Sequence, residues 1–202
     1  MPSGFASLDA RLGGGWPLGI LTEVLADAEG IGELSLLAPA LSQLSNAAGL
    51  SPELRQQLGV RRSICWVMPP YIPYAPALLQ QRIDLAQVLV VNVEQSEDAL
   101  WAMEQALRSG ICAAVLGWFT RLDARALRRL QLLAETAVGW VVVFRHSRFV
   151  HEQATAPLRL RLQTTVAGLQ VEVLRNRYGA TGSVTLSGLA GPAGGGAAGG
   201  SC

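Results

Sequence analysis

The chain has 202 residues, of which half are hydrophobic and 15% are charged, and its formal net charge is +1. This length suits one α/β domain with a sizeable core, and the near-zero charge argues against general binding of nucleic acid. All 16 basic residues are arginine, which excludes any mechanism that requires a lysine. No cationic segment leads into an apolar stretch at the N-terminus, and the apolar runs are too short to span a bilayer. We therefore expect a cytoplasmic protein with no membrane partner.

The predicted elements begin with a short helical turn at 4–9, a glycine-rich loop at 13–19 and a strand at 20–25. A glycine-containing loop at 26–33 follows this strand, and residues 34–44 then carry apolar side chains at helical spacing. A strand, a glycine-containing loop and a helix in this order form the unit that cradles phosphates in nucleotide-binding folds.

Strands and helices continue to alternate through the middle of the chain. Continuous valine and leucine at 88–93 predict a strand that is buried on both faces, and Ser96 and Asp123 are the expected caps of the two longest helices. This alternation predicts a mostly parallel, doubly wound α/β sheet. The predictions are strands at 64–68, 88–93, 113–118 and 139–145, short helices at 53–58 and 77–82, longer helices at 96–108 and 124–136, and a proline-fixed loop at 69–76.

The pattern changes near the C-terminus. Residues 158–162 and 169–174 alternate strictly between apolar and polar side chains, which predicts a C-terminal antiparallel β-hairpin with one apolar face. Glycine, alanine and serine dominate from residue 179 onwards. We therefore expect one domain at 1–178 and a flexible tail at 179–202.

The loop after the first strand lacks the residues that bind phosphate. A working phosphate-binding loop reads G-x-x-x-x-G-K-[ST], and here Gly32 holds the second glycine position and Gly30 lies at a variable position between the two. Asp27 stands at the first glycine position, Glu33 at the lysine position and Leu34 at the hydroxyl position. At ~4 Å and an effective dielectric constant near 20, a carboxylate beside a phosphate costs roughly 4 kcal/mol before screening.

The ends of the second and fourth strands also carry no carboxylate for a metal ion or for activating water. The sequence therefore predicts a degenerate phosphate-binding loop, with no nucleotide cofactor, no metal, no catalytic residue and no ATP hydrolysis. The alternative is that the glycines only turn the chain and that no nucleotide site ever existed there.

The cysteines and most of the tryptophans are predicted to be structural. Cys65 and Cys112 lie in apolar runs and are expected to be small core residues, with no nearby set of metal ligands. The tryptophans mostly occupy strand or helix-face positions and are expected in the core; they are Trp16, Trp66, Trp101, Trp118 and Trp140.

Two surfaces are candidates for binding a partner or DNA. Tyr71 and Tyr74 lie in the proline-fixed loop, where an exposed aromatic pair suits a protein interface. The arginines fall into one group on and just before the helix at 124–136, which is otherwise an ordinary solvated face, and a second group along the hairpin. The first group is Arg121, Arg125, Arg128 and Arg129, and the second is Arg159, Arg161, Arg175 and Arg177. With a net charge near zero, any affinity for DNA is expected to be weak or indirect.

Several segments in order resemble the ImuA family, which belongs to the RecA/SulA superfamily and is associated with translesion DNA synthesis. The resemblance covers roughly residues 3 to 178. The segments that carry it are 5–9, 13–19, 21–24, 28–34, 69–76, 98–101, 104–110 and 125–132.

The resemblance implies a RecA-like fold and an SOS-induced, non-catalytic accessory protein. Its partners would be an ImuB-type polymerase-like adaptor, through that adaptor a DnaE-type error-prone polymerase, and RecA. The arginines of the hairpin would then lie near the side that faces DNA in RecA. Family members usually carry a longer segment before the first motif, so contacts made by that segment are not expected here.

Two alternatives remain open. The first is a SulA-like inhibitor of cell division that binds FtsZ, because SulA shares this fold and also lacks a phosphate-binding loop. The glycine-tryptophan-proline run at 14–17 favours ImuA over SulA. The second is a regulator that still binds a nucleotide through the degenerate loop.

Overall fold

The computed structural model describes residues 1–46, 50–59, 63–153 and 155–189, and these form a mixed α/β fold. The strands are β1 (Leu21–Ala26), β2 (Ser63–Val67), β3 (Val88–Val91), β4 (Cys112–Trp118), β5 (Trp140–His146), β6 (Leu158–Thr165), β7 (Gly168–Asn176) and β8 (Gly182–Leu186). The helices are α1 (Ala6–Leu12), α2 (Glu33–Ser45), α3 (Pro52–Leu58), α4 (Ala75–Gln80), α5 (Ser96–Ser109) and α6 (Ala124–Ala137), and short 3-10 segments lie at Leu85–Gln87 and Ser147–His151.

The strands described form a single sheet in the order β3-β2-β4-β5-β1-β6-β7-β8. The pairs from β3 across to β6 are parallel, and β6, β7 and β8 pair antiparallel. The mostly parallel sheet with a C-terminal antiparallel hairpin is therefore confirmed. β6 belongs to both parts, because it is parallel to β1 on one side and antiparallel to β7 on the other.

Local signals account for the helix ends. The Asp123 carboxylate accepts a hydrogen bond of 2.7 Å from the N–H of Ala126, which makes Asp123 the N-cap of α6 as predicted. Gly110 ends α5 with a φ of 69°, a left-handed conformation that favours glycine. Ser96 is not the cap of α5 but its first residue, and the preceding Gln95 makes no capping side-chain bond.

The core has two parts, one on each face of the sheet. Buried side chains of α2 and α4 pack on one face, and those of α5 and α6 pack on the other. Residues along a strand alternate between the two parts, as Val142 does with Val141 and Val143 on β5. Since both faces are covered, the central strands are mostly apolar, as the sequence predicts for a doubly wound sheet, and the buried polar exceptions are Thr22 and Glu23 on β1 and Arg145 on β5.

Three tryptophans confirm the prediction that they are core residues, and one contradicts it. Trp16, Trp66 and Trp140 are at most 1% exposed, and the rings of Trp16 and Trp140 lie 5.3 Å apart. Trp118 is half-buried. Trp101 is 64% exposed, because it lies on the side of α5 that faces away from the sheet.

Cys65 and Cys112 are both buried, as expected for small core residues. They lie on the neighbouring strands β2 and β4 and share a hydrogen bond. This bond, together with burial, raises the pKa of the Cys65 thiol above its ordinary value. The same bond lowers the pKa of the Cys112 thiol.

The prediction that the third strand is buried on both faces is wrong. β3 is an edge strand whose described neighbour is β2, and Leu89 and Val90 are 44% and 42% exposed. An apolar run indicates strand structure, but the position of a strand in the sheet depends on long-range pairing. The sequence at 88–93 could not show that position.

The sheet also extends into the segment that was predicted to be a flexible tail. β8 lies at 182–186 and pairs antiparallel with β7, and Leu186 at its end is buried in the core. The sheet therefore continues past residue 178. The part of the predicted tail from residue 190 onwards lies outside the described residues.

Candidate functional site

A cavity of about 540 Å³ opens at the carboxyl ends of the parallel strands, where ligands bind in open α/β sheets. Its wall comes from the residues at the ends of β1, β2, β4 and β5 and from the N-terminus of α5. The charged side chains in this wall are Asp27 and Glu29 from the loop after β1, Glu33 from the start of α2, Arg145 from β5 and Arg148 from the 3-10 segment that follows β5. The cavity therefore lies at the loop that was predicted to be a degenerate phosphate-binding loop.

The carboxylate of Glu33 occupies the backbone donors of this loop. The N–H of Gly30 donates to Glu33 Oε1 at 2.7 Å, and the N–H of Gly32 donates to Glu33 Oε2 at 3.1 Å. Glu33 is the first residue of α2 and is only 6% exposed, and a helix N-terminus favours an anion. The side chain therefore fills the place of an anion, in addition to opposing a phosphate by its charge.

A second feature fixes the shape of this loop. Gly32 has a φ of 114°, and a side chain at this position would collide with the backbone carbonyl of Leu189. Leu189 follows β8 and packs against the core. The end of the described chain therefore lies directly against the N-terminus of α2, which only glycine at position 32 permits.

Glu33→Gln is expected to lower the free energy of unfolding by about 1–2 kcal/mol, because an uncharged amide offers one oxygen where the carboxylate offers two. Urea unfolding followed by circular dichroism measures the change. Glu29→Gln in the same loop is the matched control, since Glu29 is exposed and is expected to change stability by less than about 0.5 kcal/mol. Equal stability of the two variants would contradict this role for Glu33.

Aromatic side chains line the cavity at the end of β4, where an ATPase would place a carboxylate. The rings of Trp118 and Phe144 stack with centroids 4.6 Å apart, and Trp66 lies 5.8 Å from Trp118. The chain after β2 continues through Pro69 and Pro70. In the part of the wall formed by β2 and β4, no described side chain is a carboxylate.

The proline-fixed loop forms the rim of a neighbouring apolar groove of about 330 Å³. Tyr71 and Tyr74 are 69% and 72% exposed, so the structure places this predicted aromatic pair at the surface. Ile72 between them is 88% exposed. Its exposure was not predicted, although a position between two tyrosines in a proline-rich loop indicates exposure. The floor of the groove is apolar and includes Leu34, Leu41, Trp66, Leu78 and Ile83.

The four arginines at α6 lie on an exposed surface, as the helical spacing predicts. Arg121 precedes α6, and Arg125, Arg128 and Arg129 lie on its outer face. Arg129 donates from Nε at 2.8 Å to Glu104 on α5. These arginines are on the α5–α6 side of the sheet, whereas the proline-fixed loop borders α2 and α4 on the other side.

The hairpin arginines, the second predicted group, are not all exposed. Arg159 is only 4% exposed, because β6 pairs with β1 and places it opposite Glu23. Arg161 is half-buried, and only Arg175 and Arg177 are exposed. The two groups of arginines therefore do not combine into one continuous surface.

A buried cluster of charges on the α6 side of the sheet was not predicted. Arg145 donates to Glu23 at 2.6 Å and to Glu152 at 2.9 Å. Arg159 binds the other oxygen of Glu23 and also donates to the backbone carbonyls of Phe149, Val150 and Glu152. The cluster ties β1, β5 and β6 to the 3-10 segment that follows β5. The sequence carries one signal for it, a glutamate in the middle of the apolar first strand.

Two curated proteins that are similar to the chain are both named cell division inhibitor SulA. The protein from Photorhabdus laumondii is 33% identical over 95 residues, which are 46% of this chain and 54% of that protein. The protein from Edwardsiella piscicida is 34% identical over 87 residues, which are 43% of this chain and 52% of that protein. The chain thus spans about half the length of the curated relatives it matches. No family model matches it. These similarities are consistent with the SulA superfamily.

The helices among the described residues are all too short or too polar to cross a membrane.

Proposed function

We propose that this protein is a non-catalytic inhibitor of cell division that acts like SulA, by binding the division protein FtsZ. The proposal rests on what occupies the site at the carboxyl ends of the strands and on the surface beside it. The donors that could hold a phosphate bind Glu33 instead, and the neighbouring surface presents exposed apolar side chains. The site is therefore suited to protein contact and unsuited to nucleotide chemistry.

The choice of target comes from the relatives. Both matched proteins are named as inhibitors of cell division. A protein that acts by binding needs an exposed apolar surface with aromatic anchors, and the proline-fixed loop provides one in Tyr71, Ile72 and Tyr74.

A second candidate function is that of an ImuA-like accessory protein that binds an ImuB-type adaptor and RecA in a complex with a DnaE-type polymerase. The observation that favours it is the run Gly14-Gly15-Trp16-Pro17, which resembles ImuA and not SulA. Trp16 of this run packs against Trp140 in the core.

Binding measurements with both targets test the two candidates. We expect calorimetry with purified FtsZ to show saturable binding, and induced expression of the chain to make bacterial cells grow as filaments. The same protein titrated with a purified ImuB-type adaptor is expected to show no binding. Binding to the adaptor without binding to FtsZ, at normal cell length, would reverse the order of the two candidates. If the protein is folded by circular dichroism and binds neither FtsZ nor the adaptor, both candidate functions are excluded.

A further inference from the structure

The outer face of the α5–α6 helix pair is an arginine-rich surface away from the proline-fixed loop. The two helices pack side by side, and their buried side chains share one part of the core. Five arginines of the pair and of the loop before α6 are exposed. They are Arg108 on α5, Arg121 before α6, and Arg125, Arg128 and Arg129 on α6.

A buried carboxylate holds two of these arginines in place. Glu104 is 5% exposed, and it binds Arg108 at 3.2 Å through one oxygen and Arg129 through the other. The two arginine side chains remain 50% and 52% exposed. An arginine has five N–H donors. Both guanidinium groups are therefore held in place by Glu104 and still have N–H groups available to donate to a bound partner.

The other three arginines have no charge partner in the part of the chain that the structure describes. Arg121, Arg125 and Arg128 make no side-chain hydrogen bond or ion pair there. The nearest carboxylate in sequence, Asp123, accepts the capping bond from Ala126. The other exposed carboxylates of the helix pair are Glu97 and Asp98 in the first turn of α5 and Glu135 near the end of α6, and none of them forms an ion pair with an arginine in the described part of the chain. The three guanidinium groups are therefore free to bind carboxylates of a partner.

Exposed apolar side chains lie within the same surface. Trp101 is 64% exposed and lies two helical turns before Arg108 on α5. Leu132 is 54% exposed and lies two turns after Arg125 on α6. Residues two turns apart share one face of a helix, so each helix presents an apolar side chain and an arginine in the same direction.

We propose that this surface, formed by Trp101, Leu132 and the five arginines, binds an acidic segment of a partner protein that also carries apolar side chains. Carboxylates of such a segment would meet the arginines, and its apolar side chains would meet Trp101 and Leu132. Tryptophan and arginine are the residue types that dominate binding energy at protein interfaces. A nucleic-acid backbone would satisfy the arginines but would leave Leu132 without a partner, and the net charge of +1 provides little of the long-range attraction that DNA binding uses.

This inference goes beyond the proposed function, because the surface lies on the opposite side of the sheet from the loop assigned to FtsZ. It is compatible with either of the two candidate functions. The chain would then present two separate binding surfaces and could hold two partners at once.

Fluorescence anisotropy tests the proposal with two labelled probes. The first is a short peptide in which Asp and Glu alternate with Leu and Phe, and the second is a single-stranded DNA oligonucleotide. We expect the peptide to bind the full chain saturably at low salt and the DNA to bind at least about tenfold more weakly. A peptide with Asn and Gln in place of the acids is expected to lose binding.

Charge reversal locates the surface. Arg125→Glu combined with Arg128→Glu is expected to weaken peptide binding at least about tenfold, and Trp101→Ala is expected to weaken it by a similar factor. Arg55→Glu on α3, an exposed arginine on the other face of the sheet, is the matched control and is expected to keep wild-type affinity.

Three outcomes would overturn the proposal. They are absence of peptide binding, equal binding by the double variant and wild type, and tighter binding of DNA than of peptide at the same arginines. Circular dichroism of each variant identifies a loss that comes from unfolding. Since no readout involves FtsZ, failure here is distinct from failure of the proposed function.

Discussion

Glu23→Ala is expected to lower the free energy of unfolding by about 3–5 kcal/mol, a larger loss than the one expected for Glu33→Gln. The Glu23 side chain is 1% exposed, and its two oxygens bind Arg145 and Arg159, whose side chains are 1% and 5% exposed. Removing the carboxylate leaves two buried guanidinium groups near each other. Among the described residues, the carboxylate that remains in the cluster is that of Glu152, which is half-exposed and binds Arg145.

The expected loss of stability is large because two buried guanidinium groups remain without their carboxylate. A buried ion pair adds little net stability compared with apolar side chains of the same shape, but removing one partner leaves a charge without compensation. Domains of this kind are typically stable by about 5–15 kcal/mol, so the variant is expected to unfold about 10 °C below wild type. Thermal and urea unfolding followed by circular dichroism measure both quantities.

Two further variants keep the result interpretable. Glu152→Ala, which removes a half-exposed partner of Arg145, is expected to cost about 1 kcal/mol or less. Glu23→Gln keeps the shape and one acceptor, so its stability is expected to lie between wild type and Glu23→Ala and to remain measurable if the alanine variant does not fold. A Glu23→Ala protein within about 1 kcal/mol of wild type would contradict the role assigned to this cluster.

The sequence predicts elements whose signals are local. The fourth and fifth strands and the helices α2, α5 and α6 are within two residues of their predicted positions. Asp123 and Gly110 are recognisable because a capping side chain and a left-handed glycine act on the same helix end. β8 was not predicted, because its residues lie in a segment rich in glycine and its strand structure depends on pairing with β7.

The features that were missed depend on contacts between distant parts of the chain. Arg159 is buried because β6 lies beside β1 and places it across from Glu23, a pairing of residues 136 positions apart. No periodicity in the hairpin sequence distinguishes this arginine from the half-buried Arg161. Glu33 could be recognised as a substitution that opposes phosphate, but not as the acceptor for the amides of its own loop, because that depends on the folded shape of the loop.

Tyr71→Asp combined with Tyr74→Asp is expected to weaken binding to FtsZ at least about 100-fold, which corresponds to about 2.7 kcal/mol. The prediction rests on the proposed function. The two rings are 69% and 72% exposed beside an apolar groove, so they are available as anchors for a partner, and an aspartate offers charge where an apolar contact is required. For the same reason, the melting temperature is expected to change by less than about 2 °C. Calorimetry with purified FtsZ measures the affinity, and the length of cells that express the variant measures the effect on division.

Val166→Asp is the control for added negative charge, because Val166 lies fully exposed at the turn between β6 and β7 and receives one aspartate where the double variant receives two. It is expected to bind FtsZ as wild type does and to cause filaments. If the double variant also binds as wild type does, the proline-fixed loop is not the binding surface. If the control and the double variant lose binding equally, the loss reflects added negative charge on the whole protein. Loss in the double variant alone assigns the contact to the loop, which lies beside the N-terminus of α2 where Glu33 occupies the backbone donors. A partner seated on the loop would then also cover the backbone amides of Gly30 and Gly32 that Glu33 binds.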